Sequence, residues 1–156
     1  GMIEGDSAST GEYVAIISSL SRVPVDQELA VTGSMNQMGE VQPVGGINEK
    51  IEGFFDVCQK LGFTGNQGVI IPRRNLRHLM LREDVVEACR NGQFHIYAVS
   101  RVEEAIEILL QNEVGEKDKD GNYPVDSVNH LVAKRLKEMA ELAKKISSGA
   151  EDKSTR

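Results

Sequence analysis

Three short apolar runs, separated by stretches with helical spacing, constrain this chain most. "ELAVTG" (28–33), "GVII" (68–71) and "FHIYAV" (94–99) are rich in the residues that fit a buried strand and too short to make a helix. Helix-spaced apolar residues fill 47–61, 75–91 and 102–110. The order strand, helix, strand, helix, strand, helix suits parallel strands, which need a long crossover between them. The predicted class is therefore α/β, with α+β character: a short, partly parallel sheet packed with helices.

The flanks fill in the rest. Apolar residues at 13, 14, 16, 17 and 20 predict a helix over 10–20 that buries a face, and Pro24 ends it. "SMNQMGEVQPVGG" (34–46) reads as an exposed hairpin or irregular loop. Gly62 stops the helix of 47–61, a break is expected near Arg82 in 75–91, and Gly92 closes that segment. Ser100 is placed to cap the helix of 102–110, with Glu103 and Glu104 in its first turn. The polar 112–124 is a loop. Val125, Val128, Leu131, Val132, Leu136, Met139, Leu142, Ala143 and Ile146 mark a long amphipathic helix over 125–147, packing either on the domain or on a neighbouring subunit. Residues 148–156 are expected to fray.

Composition narrows the function. The net charge of -6 and the single short basic run "PRRNLRH" (72–78) argue against a nucleic-acid backbone partner. Four Phe, three Tyr and no Trp leave little for a base-stacking platform, and the core must rest on Ile, Leu, Val and Ala. No run of 18 apolar residues crosses a membrane, and the first residues do not form a signal peptide. Cys58 and Cys89 have no metal or redox spacing and read as buried free thiols of a reducing, cytoplasmic setting. His78, His95 and His130 are scattered without ligand spacing.

Two stretches carry chemistry. In "EGDSASTGEY" (4–13), Asp6, Ser7 or Ser9 can cap the coming helix, and Ser9 with Glu12 fits a capping box. The same place suits a nucleophile, because free amides at a helix N-terminus favour the negative charge that builds on an attacked carbonyl. In the helix of 47–61, a wheel at about 100° per residue gathers Ile47, Ile51, Phe54, Cys58 and Leu61 into one stripe, with Lys50 at about -60°, on its margin. Either the Lys50 stem covers apolar surface with its ammonium in water, or the amine is partly stripped of water. The second arrangement lowers its pKa and lets it take a proton from a hydroxyl.

Read together, "EGDSAS", "AVTGSMNQMGEVQPVGGINEK" and "IIPRRN" resemble the proteolytic domain of Lon proteases, in particular the Lon-related ATP-dependent proteases. The likeness runs from about residue 4 to 110 and continues more loosely into the C-terminal helix. It implies a serine endopeptidase with a Ser-Lys dyad and no histidine. The serine corresponds to Ser7 of "GDSAS" and the lysine to Lys50 of "GGINEK", where Asn48 replaces the first lysine of the related "GGLKEK". Thr32, of the "TG" step, matches a threonine that orients the dyad. Asp6 beside Ser7 either holds the ammonium, repels substrate carboxylates or faces solvent. Asn75 matches the asparagine after the motif proline, and a helix cap is its natural reading.

The resemblance further implies unfolded or damaged proteins as substrates, a homo-oligomer (a hexamer), and an AAA+ ATPase module. It implies no metal or cofactor in this chain. ATP enters only through that module, for no Walker A motif occurs in these residues. The family domain carries several dozen residues ahead of its serine, so 1–111 is expected to be the C-terminal part of the domain, without its N-terminal strands. A Lys50 left exposed would keep its proton, which makes a catalytically inactive assembly module the alternative.

Overall fold

The computed structural model describes residues 8–154. Its centre is a three-stranded parallel sheet in the order β1 (Leu29–Val31), β4 (Gly68–Pro72), β5 (His95–Val99). Leu29 pairs with Gly68, and Gly68 in turn with His95. β4 is the middle strand and is buried along its whole length. β1 was expected to be buried, yet it is only half-buried, because it lies at a sheet edge. Of the two readings of 34–46, hairpin or irregular loop, the hairpin forms, β2 (Ser34–Met35) antiparallel to β3 (Val41–Gln42), and it is largely half-buried rather than exposed because Val41 packs into the core.

Alternation along the strands splits the core into two layers. Val69 and Ile71 face α2 (Ile47–Leu61) and α3 (Glu83–Arg90), in a cluster with Ile51, Phe55, Cys58, Val85 and Phe94. Ile70 and Val99 face the other way, into a cluster with Val14 of α1 (Ser9–Ser21), Ile106 and Leu109 of α4 (Val102–Leu110), and Val128 of α5 (Val128–Ser154). The rings of Phe55 and Phe94 meet edge to face at 5.3 Å between centroids, and so tie α2 to the segment entering β5. The chain is thus an α/β domain with helices on both faces of a short parallel sheet and a long C-terminal helix.

Four local expectations are corrected. α1 buries a narrower face than its apolar spacing suggests: Thr10, Val14 and Ser21 are buried, but Tyr13 and Ile16 are exposed. The 75–91 segment is not one helix with a break. A 3-10 helix spans Arg73–His78, residues 79–82 are non-helical, and α3 follows. Hydrogen bonds to α2 hold the connecting stretch open: the Met80 amide donates to Asn48 Oδ1 and the Arg82 amide to Glu52 Oε2. Ser100 does not cap α4. Arg101 is the N-cap residue, and Glu104 Oε1 accepts both the Ser100 and Arg101 amides. α5 starts at Val128, after an exposed Val125, packs its first turns on α1, and keeps helical backbone to Ser154. Beyond those turns Leu136, Met139, Leu142 and Ile146 are exposed.

Cys58 is buried and Cys89 half-buried, both as free thiols. Burial pushes both thiols up from their ordinary pKa, because the thiolate would lose its hydration.

Candidate active site

The carboxyl ends of the parallel strands form one edge of the sheet, and in open α/β sheets that edge is where ligands sit. Three elements meet there. The first is the end of β1. The Thr32 amide donates to Ile70 O at 3.0 Å, which continues the ladder one residue past the strand, and Thr32 is only 9% exposed. Gly33 follows at φ +135°, a conformation that only glycine adopts without strain. This turn swings the chain out of the sheet and into the β2–β3 hairpin.

The second element is the N-terminus of α1. Thr10 N donates to Gly33 O at 3.2 Å, and Met35 N donates to Ser9 Oγ at 3.0 Å. The helix start is therefore stitched to the residues just after Thr32. Ser9 was expected to cap α1. Instead Ala8 is the N-cap residue, without a side-chain cap, and Ser9 sits in the first turn with its hydroxyl turned to the hairpin. The reason is tertiary: the amide of Met35, in the two-residue strand β2, competes for that oxygen. Thr10 N, committed to Gly33 O, is withdrawn from the amides that could face an oxyanion. Asp6 and Ser7 lie outside the described residues.

The third element is the N-terminus of α2. It starts after Gly46, at φ +67°, whose carbonyl accepts from Lys50 N at 3.1 Å. Lys50 itself is exposed in the single chain. The wheel had put it beside the buried stripe because Leu61 was counted in, but Leu61 is 80% exposed and Phe55 is buried instead. Ile47, Ile51, Phe55 and Cys58 centre the buried face at about +35°, which leaves Lys50 roughly 95° away. Leu61 ends the helix and has no layer beneath it, whereas Phe55 meets Phe63 and Phe94.

Asparagines lock this helix start to the end of β4. Asn75 is fully buried. Its Oδ1 accepts from Val44 N and its Nδ2 donates to Val44 O, both at 3.0 Å. Nδ2 also lies 3.1 Å from His78 Nδ1, which therefore accepts. Asn75 is thus no helix cap but a bridge to a loop far away in sequence. Asn48 answers from α2: its Nδ2 donates to His78 O at 2.9 Å and its Oδ1 accepts from Met80 N at 2.7 Å. Asn48, Glu52 and Asp56, at i, i+4 and i+8, line one side of α2 and hold residues 78–82 against it. These roles have no local sequence signal, since each partner is some thirty residues distant.

The histidines serve the backbone. His95 Nε2 is 2.7 Å from Gly65 O, and its ring stacks on Tyr97. His130 Nδ1 accepts from Asp126 N. Among the described residues no cluster of three or more His, Cys, Asp or Glu could hold a metal ion, and no helix is long and apolar enough to cross a membrane.

The decisive comparison covers most of this architecture: residues 2–112 match the Lon protease (S16) C-terminal proteolytic domain. The chain belongs to this family. A Lon protease homolog of Haemophilus influenzae is 41% identical over 145 residues, 93% of this chain and 24% of that protein. A Lon protease homolog of Escherichia coli is 55% identical over 108 residues, 69% of this chain and 18% of that protein. The archaeal Lon protease of Archaeoglobus fulgidus is 38% identical over 110 residues, 70% of this chain and 16% of that protein. The Lon domain described here thus spans a quarter or less of the length of these relatives. The family match ends just after α4, so nearly all of the 112–124 loop and the whole of α5 lie past the matched residues.

Proposed function

We propose that this Lon domain is a serine endopeptidase in which Ser7 and Lys50 form the dyad, with Thr32 orienting it. What supports the reading most is one convergence. Within a proteolytic-domain match, the start of α1, the Thr32–Gly33 turn and the start of α2 all lie at the carboxyl edge of one sheet. Neutral Lys50 Nζ takes the proton of Ser7 Oγ as that oxygen bonds to the scissile carbonyl carbon. The C–N bond then breaks, and the ammonium returns its proton to the leaving amine. Water attacks the acyl-enzyme, gives a proton to Lys50, and the acid leaves as Ser7 regains its hydrogen.

Chemistry of this kind needs an uncharged amine, and the isolated chain leaves Lys50 exposed. Our reading therefore includes a cover over the α2 start, supplied by a neighbouring subunit or by substrate, that strips water from the amine. The relatives are far longer than this chain, so we place the dyad within a larger, cytoplasmic, ATP-dependent protease. There it acts in a homohexameric ring that receives unfolded or damaged proteins from an AAA+ module. Asp6 is assigned to the same neighbourhood.

The exposure of Lys50 favours a second reading, an inactive assembly module of the same fold. A serine-reactive peptide boronate or phosphonate, followed by mass spectrometry from pH 7 to 10, separates the two. The peptidase reading expects modification at Ser7 that rises with pH and vanishes in Ser7→Ala and Lys50→Ala. No modification at any pH supports the assembly module.

A further inference from the structure

We propose that Asn75 is a positioning residue for the lysine helix, holding the α2 start in register with the end of β4; this rests on Lys50 being the base. Val44, the residue it grips, precedes Gly45 and Gly46, and Gly46 O receives the Lys50 amide. Gly45 has open space around its Cα and Gly46 sits at positive φ, so nothing local stiffens the link into the helix. Among the described residues, the polar anchor just ahead of it is the pair of Asn75 hydrogen bonds to Val44. A carboxamide suits this task because it offers one acceptor and one donor face at once, the pattern of a backbone edge.

The other end of the clamp is rigid. Asn75 comes three residues after Pro72, the last residue of the buried central strand, and Ile70 of that strand accepts from Thr32 N. Asn75 thus stands on the same strand that fixes Thr32, and it passes that reference position to the helix carrying Lys50. Asn48 closes the bracket from within the first turn of α2, through His78 O and Met80 N. Four hydrogen bonds between 44–48 and 75–80 set where the α2 axis begins. A shift of about 1 Å in a reacting group costs on the order of 10²-fold in rate.

The test measures the rate constant and pH profile of irreversible Ser7 modification by a peptide phosphonate diphenyl ester, in which Ser7 Oγ bonds to phosphorus as phenol leaves, in the 156-residue chain and its variants. Asn75→Asp keeps the acceptor for Val44 N but sets a carboxylate against Val44 O; Asn75→Ala removes both bonds. The expected result is a fall of about 10-fold or more for Asn75→Asp and on the order of 10²-fold for Asn75→Ala. The midpoint of the pH profile should move, and the fraction of protein finally modified should stay the same. A merely structural role would lower that fraction and leave the rate per competent molecule and the profile unchanged. Amide exchange at Val44 checks the clamp directly: slow in the parent and in Asn75→Asp, fast in Asn75→Ala. Should Asn75→Ala not fold, Asn48→Ala breaks the bracket at a half-exposed position and is expected to slow the reaction in the same direction, by less. If Ser7 is modified in the parent and the folded variants keep its rate and profile, the positioning role is overturned and the dyad stands. If the parent is never modified, the dyad fails, and the positioning role fails with it.

Discussion

Replacing Gly33 by alanine tests how the turn after Thr32 is built. An added Cβ would lie 2.9 Å from Val41 Cγ1 and 3.1 Å from Pro72 Cγ, both on stiff, buried side chains. The position also sits at φ +135°. Backbone strain for a non-glycine residue there costs about 1–3 kcal/mol. Overpacking against Val41 and Pro72 costs about 1–3 kcal/mol more. The lower entropy of the unfolded alanine chain offsets roughly 0.4–1 kcal/mol. The net loss expected is about 3 kcal/mol, a large share of the roughly 5–15 kcal/mol that stabilises a domain. In a thermal melt it corresponds to a drop of about 9 °C. Urea unfolding followed by circular dichroism measures it, with Gly45→Ala as the control. Gly45 has nothing within 4 Å of its virtual Cβ and no positive φ, so alanine there should be neutral or stabilising by roughly 0.4–1 kcal/mol. A Gly33→Ala loss below about 0.5 kcal/mol, or one no larger than that of Gly45→Ala, would refute the reasoning.

Two further outcomes are expected. Thr10 Oγ1 is buried without a hydrogen-bond partner among the described residues, so Thr10→Val, which keeps the shape and drops the hydroxyl, should raise stability by about 1 kcal/mol; a destabilised variant in the same urea assay would show that the hydroxyl is used. The Arg82 guanidinium, by its hydrogen bonds first, holds the Asp56 and Asp84 carboxyls below their ordinary pKa. A depressed folded-state pKa contributes stability that is fully present above about pH 4 and is lost as pH falls through the folded value. Arg82→Gln should therefore flatten the fall in stability between pH 5 and pH 3 relative to the parent, most clearly at low salt, and equal slopes would count against the pairing.

Some features were legible because they depend on near neighbours in the chain. The bounds of α2 follow from its apolar spacing and from the glycines at each end, Gly46 and Gly62. β4 and β5 follow from "GVII" and "FHIYAV", and the hairpin from a glycine- and proline-rich run between strands. The order of these elements suffices for a parallel sheet, since crossovers of that length favour parallel pairing. The residues proposed for the dyad and its neighbour, Ser7, Lys50 and Thr32, come from the family resemblance carried by "GDSAS", "TG" and "GGINEK".

What tertiary structure decided concerns partners distant in sequence. Ser9 faces Met35 rather than capping its own helix, because the hairpin brings a competing amide to it. Asn75 leaves helix capping for Val44, and Asn48 stands as a bracket where the related motif has a lysine. The buried face of α2 turned toward Phe55 and away from Leu61 because Phe63 and Phe94 fill one side of the layer, and that rotation put Lys50 in water. A helical wheel fixes relative angles within one helix; only the neighbours packed against it choose which angle is zero.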